Sequence, residues 1–154
     1  WDTGRLAMVM AVLDSRCELA LGGSEVYLNI AGGLKIGEPA ADLAVAAALV
    51  SSWTGVPVPS GTVVFGEIGL SGEVRAVSHR DPRIKEAEKL GFSRAIVPAA
   101  SNQKRSSKTR RIGKIAITEV THLTELLLLF SDCRGADVQT PAVTGLAADR
   151  AQHG

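Results

Sequence analysis

The chain is short of cysteine and histidine, and those shortages remove several kinds of chemistry at the outset. Of its 154 residues only two are cysteine, Cys17 and Cys133, and three are histidine. The cysteines form no C-x-x-C pair, which excludes a multi-cysteine metal site and argues against a disulfide framework. A reducing, cytoplasmic setting is the default for such a chain. His122 and His153 have no partners at ligand spacing, so no metal site is expected. No run approaches the ~18 uninterrupted apolar residues of a membrane span, and the start lacks a basic region followed by an apolar signal stretch. A soluble protein with no membrane partner is expected. An excess of one charge is missing too. Lys+Arg number 17 against 16 Asp+Glu, a formal net charge of +1, so any binding of nucleic acid has to come from local clustering.

What is present is enough for one core, since 45% of the residues are hydrophobic and the length is that of a single domain. The expected domain covers residues 1–134. From Gly135 to Gly154 the mixture of Gly, Ala, Thr, Pro and Gln has no period, and a disordered tail is expected there. The sequence opens at Trp1, a few residues ahead of a helix, and reads as a piece of a larger protein.

Leu6 to Leu13 is a continuous apolar run, read as a helix buried on most sides. Val26, Leu28 and Ile30 alternate with Glu25, Tyr27 and Asn29, the period of a half-buried strand. Gly32 and Gly33 end it. Pro39 suits the first turn of a helix, and the small residues of Ala40 to Val50 allow that helix to lie close to a sheet. Thr62 to Phe65 is rich in strand formers. Gly66 to Gly72 and Glu73, Val74 describe a strand, a tight glycine turn and a returning strand. Pro82 to Leu90 reads as a charged helix stopped by Gly91, Ala95 to Val97 as a strand, Ile115 to Val120 as another, and Leu123 to Phe130 as an apolar helix. A polar connection joins the two strands. The order predicts an α/β domain, a mixed sheet with packed helices.

Two stretches carry the strongest pattern. Gly32 and Gly33 lead through Lys35 and Glu38 to Pro39, Ala40, Ala41, Asp42 and Leu43, and Gly66-Glu67-Ile68-Gly69-Leu70-Ser71-Gly72 follows, with Lys85 to Pro98 behind it. This set resembles the proteolytic domain of Lon-type proteases, and more closely the Lon-like C-terminal domain of the bacterial RadA (Sms) DNA-repair and recombination ATPases. The likeness runs over residues 4–130. In Lon-type proteases a serine after the proline is the nucleophile and a lysine beyond the hairpin is its base, because a serine hydroxyl is inert near neutrality until a neighbour takes its proton. Here those positions fall on Ala40 and Asp81. Neither can do that work, so the resemblance implies a domain with no catalytic residues. It also implies a hexameric ring, DNA as partner in branch migration, and an upstream ATPase with ATP, magnesium and zinc that this domain does not itself bind. A phosphate-binding loop is not found within the chain, because Gly113 and Lys114 run into Ile115 without the glycines that would wrap phosphates.

The strongest electrostatic feature is Lys104, Arg105, Lys108, Arg110, Arg111 and Lys114, six positive charges in eleven positions with no acidic residue between Lys89 and Thr118. Phosphates would feel such a field even on a near-neutral protein. Without aromatic residues in the tract, the contacts expected are to the DNA backbone, whether single-stranded or branched, and not to stacked bases. A solvated loop that touches nothing is the competing reading. Arg75, Arg80, Arg83 and Lys85 form a secondary DNA-binding candidate group, for which pairing with Glu73, Asp81, Glu86 and Glu88 is the preferred account. Ser78, His79 and Asp81 share the letters of a hydrolase triad, yet residues so close along the chain cannot readily take up its geometry. The functional expectation is a non-proteolytic module for ring assembly and DNA binding in repair. An active serine-lysine protease and a purely structural oligomerisation module are the alternatives.

Overall fold

The computed structural model describes residues 2–100 and 109–131. Lys104, Arg105, Lys108, Cys133 and the expected tail from Gly135 to Gly154 lie outside the described residues. Helix α1 covers Thr3–Cys17, and the Asp2 carboxylate caps it by accepting from the Gly4 amide at 2.8 Å. A turn of 3₁₀ helix at Pro39–Ala41 leads straight into α2, Asp42–Thr54. Strand β1, Thr62–Val64, is followed by the antiparallel hairpin of β2, Glu67–Ile68, and β3, Val74–Arg75. Helix α3, Arg80–Lys89, β4, Arg94–Pro98, β5, Arg110–Ile112, β6, Ile115–Val120, and α4, Leu123–Ser131, complete the order.

The main sheet runs β1-β4-β6-β5, with β1, β4 and β6 parallel and β5 antiparallel at one edge. Parallel strands need cover on both faces, and each face has its own core. On one side Ile96 and Val120 meet Val9, Val12 and Leu13 of α1, Leu43, Ala46, Ala47 and Val50 of α2, and Leu123, Leu126 and Phe130 of α4. On the other, Ala95, Val97, Ile115 and Ile117 pack against Ile84 and Ala87 of α3. The inward residues of α2 fall at i, i+3, i+4 and i+7, one stripe of a helix. Its alanines let α1 and α4 approach, so the small residues serve packing.

Three expectations need correction. Helix α1 is not buried on most sides, because only Val9, Val12 and Leu13 are sealed while Ala7 and Ala11 face out. The strand expected at Val26 to Ile30 is not a strand. Its backbone is extended at both ends, at Ser24 and Ile30, but it joins neither sheet. The basic stretch expected to be a loop is partly strand, since Arg110 and Arg111 belong to β5 and pair across to Ile117 and Ala116. Among the described residues no helix is long and apolar enough to cross a membrane.

The start of α2 is tied on two sides. The Gly66 amide donates to the Ala40 carbonyl at 2.8 Å and the Leu43 amide donates to the Gly66 carbonyl at 3.0 Å. Asp42, fully buried, accepts from Arg5 Nε at 2.9 Å and Nη2 at 2.5 Å, and from the Ile68 amide at 3.2 Å. This forked pair raises the Arg5 pKa further above its ordinary value, chiefly through the hydrogen bonds to Asp42. Its two ends are unequal, because the Arg5 side chain keeps 27% exposure and Asp42 keeps none. Removing the arginine strands a buried carboxylate, whereas removing the aspartate leaves a cation that can turn to water. Arg5→Met is therefore expected to cost about 3–5 kcal/mol, the range for breaking a buried pair, and Asp42→Ala distinctly less. Urea midpoints of the two variants check the order, and equal losses would show that Arg5 is as confined as its partner.

Candidate functional site

Ala40 and Asp81, the two positions singled out from the sequence, sit on different elements. Ala40 lies in the 3₁₀ turn before α2, 5% exposed, with its carbonyl held by Gly66. Asp81 lies in the first turn of α3, where its exposed carboxylate accepts from Arg80 Nη1 at 3.2 Å. An ion pair joins their neighbourhoods, for Arg83 Nη2 binds Glu38 Oε1. Arg83 also donates to the Ser78 carbonyl at 3.1 Å and lies 5.8 Å from the centre of the Phe65 ring. Glu38 stands two residues before Ala40 and Arg83 two residues after Asp81, so this ion pair ties the turn before α2 to the first turn of α3.

The Ser51 hydroxyl donates to the Val56 carbonyl at 2.7 Å and closes the end of α2. His79, at φ +59°, is the residue preceding α3. Cys17 is half-buried, and that burial pushes its thiol pKa up, away from the thiolate a nucleophile needs. Among the described residues no three His, Cys, Asp or Glu side chains gather as a metal would require.

The hairpin is fastened by the Arg75–Glu73 pair expected from the sequence and by contacts of Glu73 and His122 that spacing did not give. The Glu73 carboxylate folds back over Gly69, where a Cβ would lie 1.8 Å from Oε1, and accepts from the Ser71 amide at 3.1 Å. Arg75 donates to the same carboxylate at 2.6 and 3.0 Å. His122 Nδ1 accepts from the Thr124 amide at 3.2 Å and so caps α4, which leaves Nε2–H to donate to the Ser71 carbonyl at 3.0 Å. Gly72, at φ +84°, leaves room for that ring.

The basic candidates divide into two kinds. Arg75 is engaged by Glu73, and Arg80 by Asp81, Glu119 and the Pro98 carbonyl with only 15% of its side chain exposed. With Arg83 on Glu38, three of the four secondary candidates are committed to acidic partners, and Lys85 is exposed on α3. On β5 the side chains of Arg110 and Arg111 are exposed, and as consecutive strand residues they project to opposite faces. Lys114 follows the turn at Gly113 (φ +59°), and its amide donates to Glu88 Oε1 at 2.7 Å. Arg110 also borders a groove of about 540 Å³ with Arg80, Asp81, Pro82 and Ala99. The fold thus brings one member of each basic group to the same groove, beside Asp81. Chain spacing could not foresee this, because β5 returns to the sheet edge antiparallel.

Residues 7–101 match the family model described as subunit ChlI of Mg-chelatase, more than half of the chain. The chain belongs to the ChlI family. That match runs from within α1 past β4 and includes Ala40, Asp81 and the hairpin between them. Alongside ChlI, the curated relatives are DNA repair proteins named RadA, as the run Pro39 to Asp42 leads one to expect. The protein from Brucella abortus is 62% identical over 103 residues, 67% of this chain and 22% of that protein. The one from Rickettsia felis is 52% identical over 126 residues, 82% of this chain and 26% of that protein. The one from Aquifex aeolicus is 42% identical over 127 residues, 82% and 27% respectively. The chain spans about a quarter of the length of the curated relatives it matches.

The Glu73 pKa is held below the ordinary carboxylate value, first by the Arg75 hydrogen bond and then by backbone amides. A depressed pKa means the contribution is present above the unfolded-state carboxylate pKa and is lost as pH falls through the lower folded-state value. Replacing Arg75 with Gln should raise the Glu73 titration, followed by carboxyl carbon shifts, while the melting point near neutrality moves little because the pair is exposed. An unchanged Glu73 titration in that variant would assign the shift to the backbone amides alone.

Proposed function

We propose that this chain is a proteolytically inactive, Lon-like domain of a cytoplasmic DNA repair protein, one that helps to assemble a hexameric ring and contacts single-stranded or branched DNA during recombination and branch migration. The observation that carries the DNA contact is the sheet-edge position of Arg111 and Lys114, both exposed, with Arg110 beside them. They continue the positive run of Lys104, Arg105 and Lys108, and phosphate contacts ask for charge more than for exact geometry. The relatives' name, DNA repair protein RadA, supports the process. Large apolar side chains left in solvent at Leu70, Leu90 and Leu128 support self-association, and a closed ring requires two different patches on each subunit. ATP, magnesium and zinc belong in this reading to other parts of a longer protein. For ATP and its magnesium, the support is that the glycine-rich lysine loop is not in this sequence, and for zinc, that no three His, Cys, Asp or Glu gather among the described residues.

Loss of peptidase activity rests on Ala40, which has no hydroxyl, and on Asp81, which has no amine. Nucleophile and base act as a unit, so without both only a residual rate remains. Neither hydrolysis of unfolded casein nor labelling by a serine-reactive fluorophosphonate is expected. Labelling that depends on the native fold and maps to Ser51, Ser52, Ser71 or Ser78 would restore the protease reading.

If about four of the six charges engage single-stranded DNA, log K should fall with log salt at a slope of about −3, from ~0.7 per phosphate. Changing Lys104, Arg105, Lys108, Arg110, Arg111 and Lys114 to Gln should weaken binding to all sequences alike and flatten that slope, measured by fluorescence anisotropy. Binding and slope unchanged in that variant would defeat the DNA contact and leave an oligomerisation module, which the solution mass with and without DNA would then report.

A further inference from the structure

Between α1 and the turn at Gly32 runs a stretch with the habits of a strand and no partner. The backbone of Ser24 (φ −104°, ψ 140°) and of Ile30 (φ −104°, ψ 115°) is extended, and no residue between them has a positive φ. Side-chain burial alternates, with Val26, Leu28 and Ile30 half-covered and Glu25, Tyr27 and Asn29 exposed. Tyr27 is 88% exposed and Leu34 68%. Among the described residues, no backbone hydrogen bond reaches the amides of residues 25–29, and the neighbouring turns bond only at Ser24 and Gly33. Open backbone groups along an extended, partly apolar segment are a template for another strand.

A groove of about 460 Å³ lies along this segment, bordered by Asp2, Thr3, Leu6, Leu28, Ile30 and Leu34. Six residues of strand span about 20 Å, and the alternation already in place fixes which side chains an added strand would cover. We propose that residues 25–30 are one half of a strand pair whose other half, a strand with apolar residues at alternate positions, comes from the same longer polypeptide. Two observations choose that occupant over a second copy. The chain spans only 22% and 26% of two curated relatives, so most of the length of such a polypeptide lies outside it. Asp2 and Thr3, where the backbone enters α1, border the groove, so a segment continuous with α1 would reach it over a short connection. Such a pairing forms at high effective concentration and needs no association between molecules. The inference concerns completion of the fold and is independent of any DNA contact.

The experiment is amide hydrogen exchange over residues 24–31, in the 154-residue chain and in the longer natural polypeptide, each at several protein concentrations. The longer polypeptide should protect the amides of residues 25–30 at least about 100-fold more than the chain does, at every concentration. Tyr27→Pro and Leu28→Pro, whose amides point to opposite edges, supply the second reading. At least one should lower the melting point of the longer polypeptide while leaving that of the 154-residue chain within about 1 °C. Equal protection in both proteins overturns the proposal, as does protection that appears in the chain only as its concentration rises, which would make the occupant a second copy. Two proline variants that leave the longer polypeptide unmoved overturn it as well.

Discussion

The hold on the first turn of α2 is what the rest of the architecture depends on. Gly66 grips that turn through its amide and its carbonyl, one to Ala40 and one from Leu43, and a Cβ at Gly66 would stand 3.1 to 3.2 Å from Leu43, Val74 and Pro98. Three elements converge there at a spacing that admits hydrogen and no methyl group without displacement. Asp42 adds a carboxylate inside the same joint, bound to α1 through Arg5 and to β2 through the Ile68 amide. A buried charge is tolerated only when its lone pairs are met, so the angle between α1, α2 and the hairpin is set by hydrogen-bond geometry as well as by apolar packing. The remaining hairpin ties at Glu73 and His122 build outward from that joint to α4.

The sheet edge follows a different logic. Among the described residues strand β5 has no strand neighbour on one side of its backbone, and an exposed edge is a hazard unless it is short or charged. Three residues long and carrying Arg110 and Arg111, β5 is both. Edge protection and anion attraction ask for the same residues, so one short charged strand serves both. The arginines of the hairpin and α3 are held by Glu73, Glu119 and Glu38.

Local periodicity made most of the fold legible. Helices α2, α3 and α4, strands β1, β4 and β6 and the hairpin all come from apolar spacing and glycine or proline punctuation, signals carried within a few residues. The failures share a cause. Val26 to Ile30 has the alternation of a strand, but pairing depends on a second segment that local sequence cannot supply. Strand β5 reads Arg-Arg-Ile, with no alternation of its own, and is a strand only because Ile115 to Ile117 lie opposite. The Arg5–Asp42 pair is separated by 37 residues and Glu38–Arg83 by 45. In the first, one signal was available: an aspartate set among Ala41, Leu43 and Ala44 in an otherwise apolar helix start must have a partner or pay for its burial. Which arginine answered it was not readable.

The residues that carry the resemblance to a protease each have a structural occupation that needs no catalysis. Gly66 admits the close approach of α2, Gly69 leaves space for the Glu73 carboxylate, Gly72 takes a left-handed turn under His122, and Asp42 closes the joint. Ala40 sits in the same joint, sealed by its neighbours, and a hydroxyl there would need a hydrogen-bond partner that an alanine does not. A serine at position 40 and a lysine at position 81 would therefore enter surroundings built for other contacts. The surrounding shell is arranged to hold a carbonyl at Ala40 and an ion pair between Glu38 and Arg83, and catalytic groups work only when the groups behind them fix their geometry.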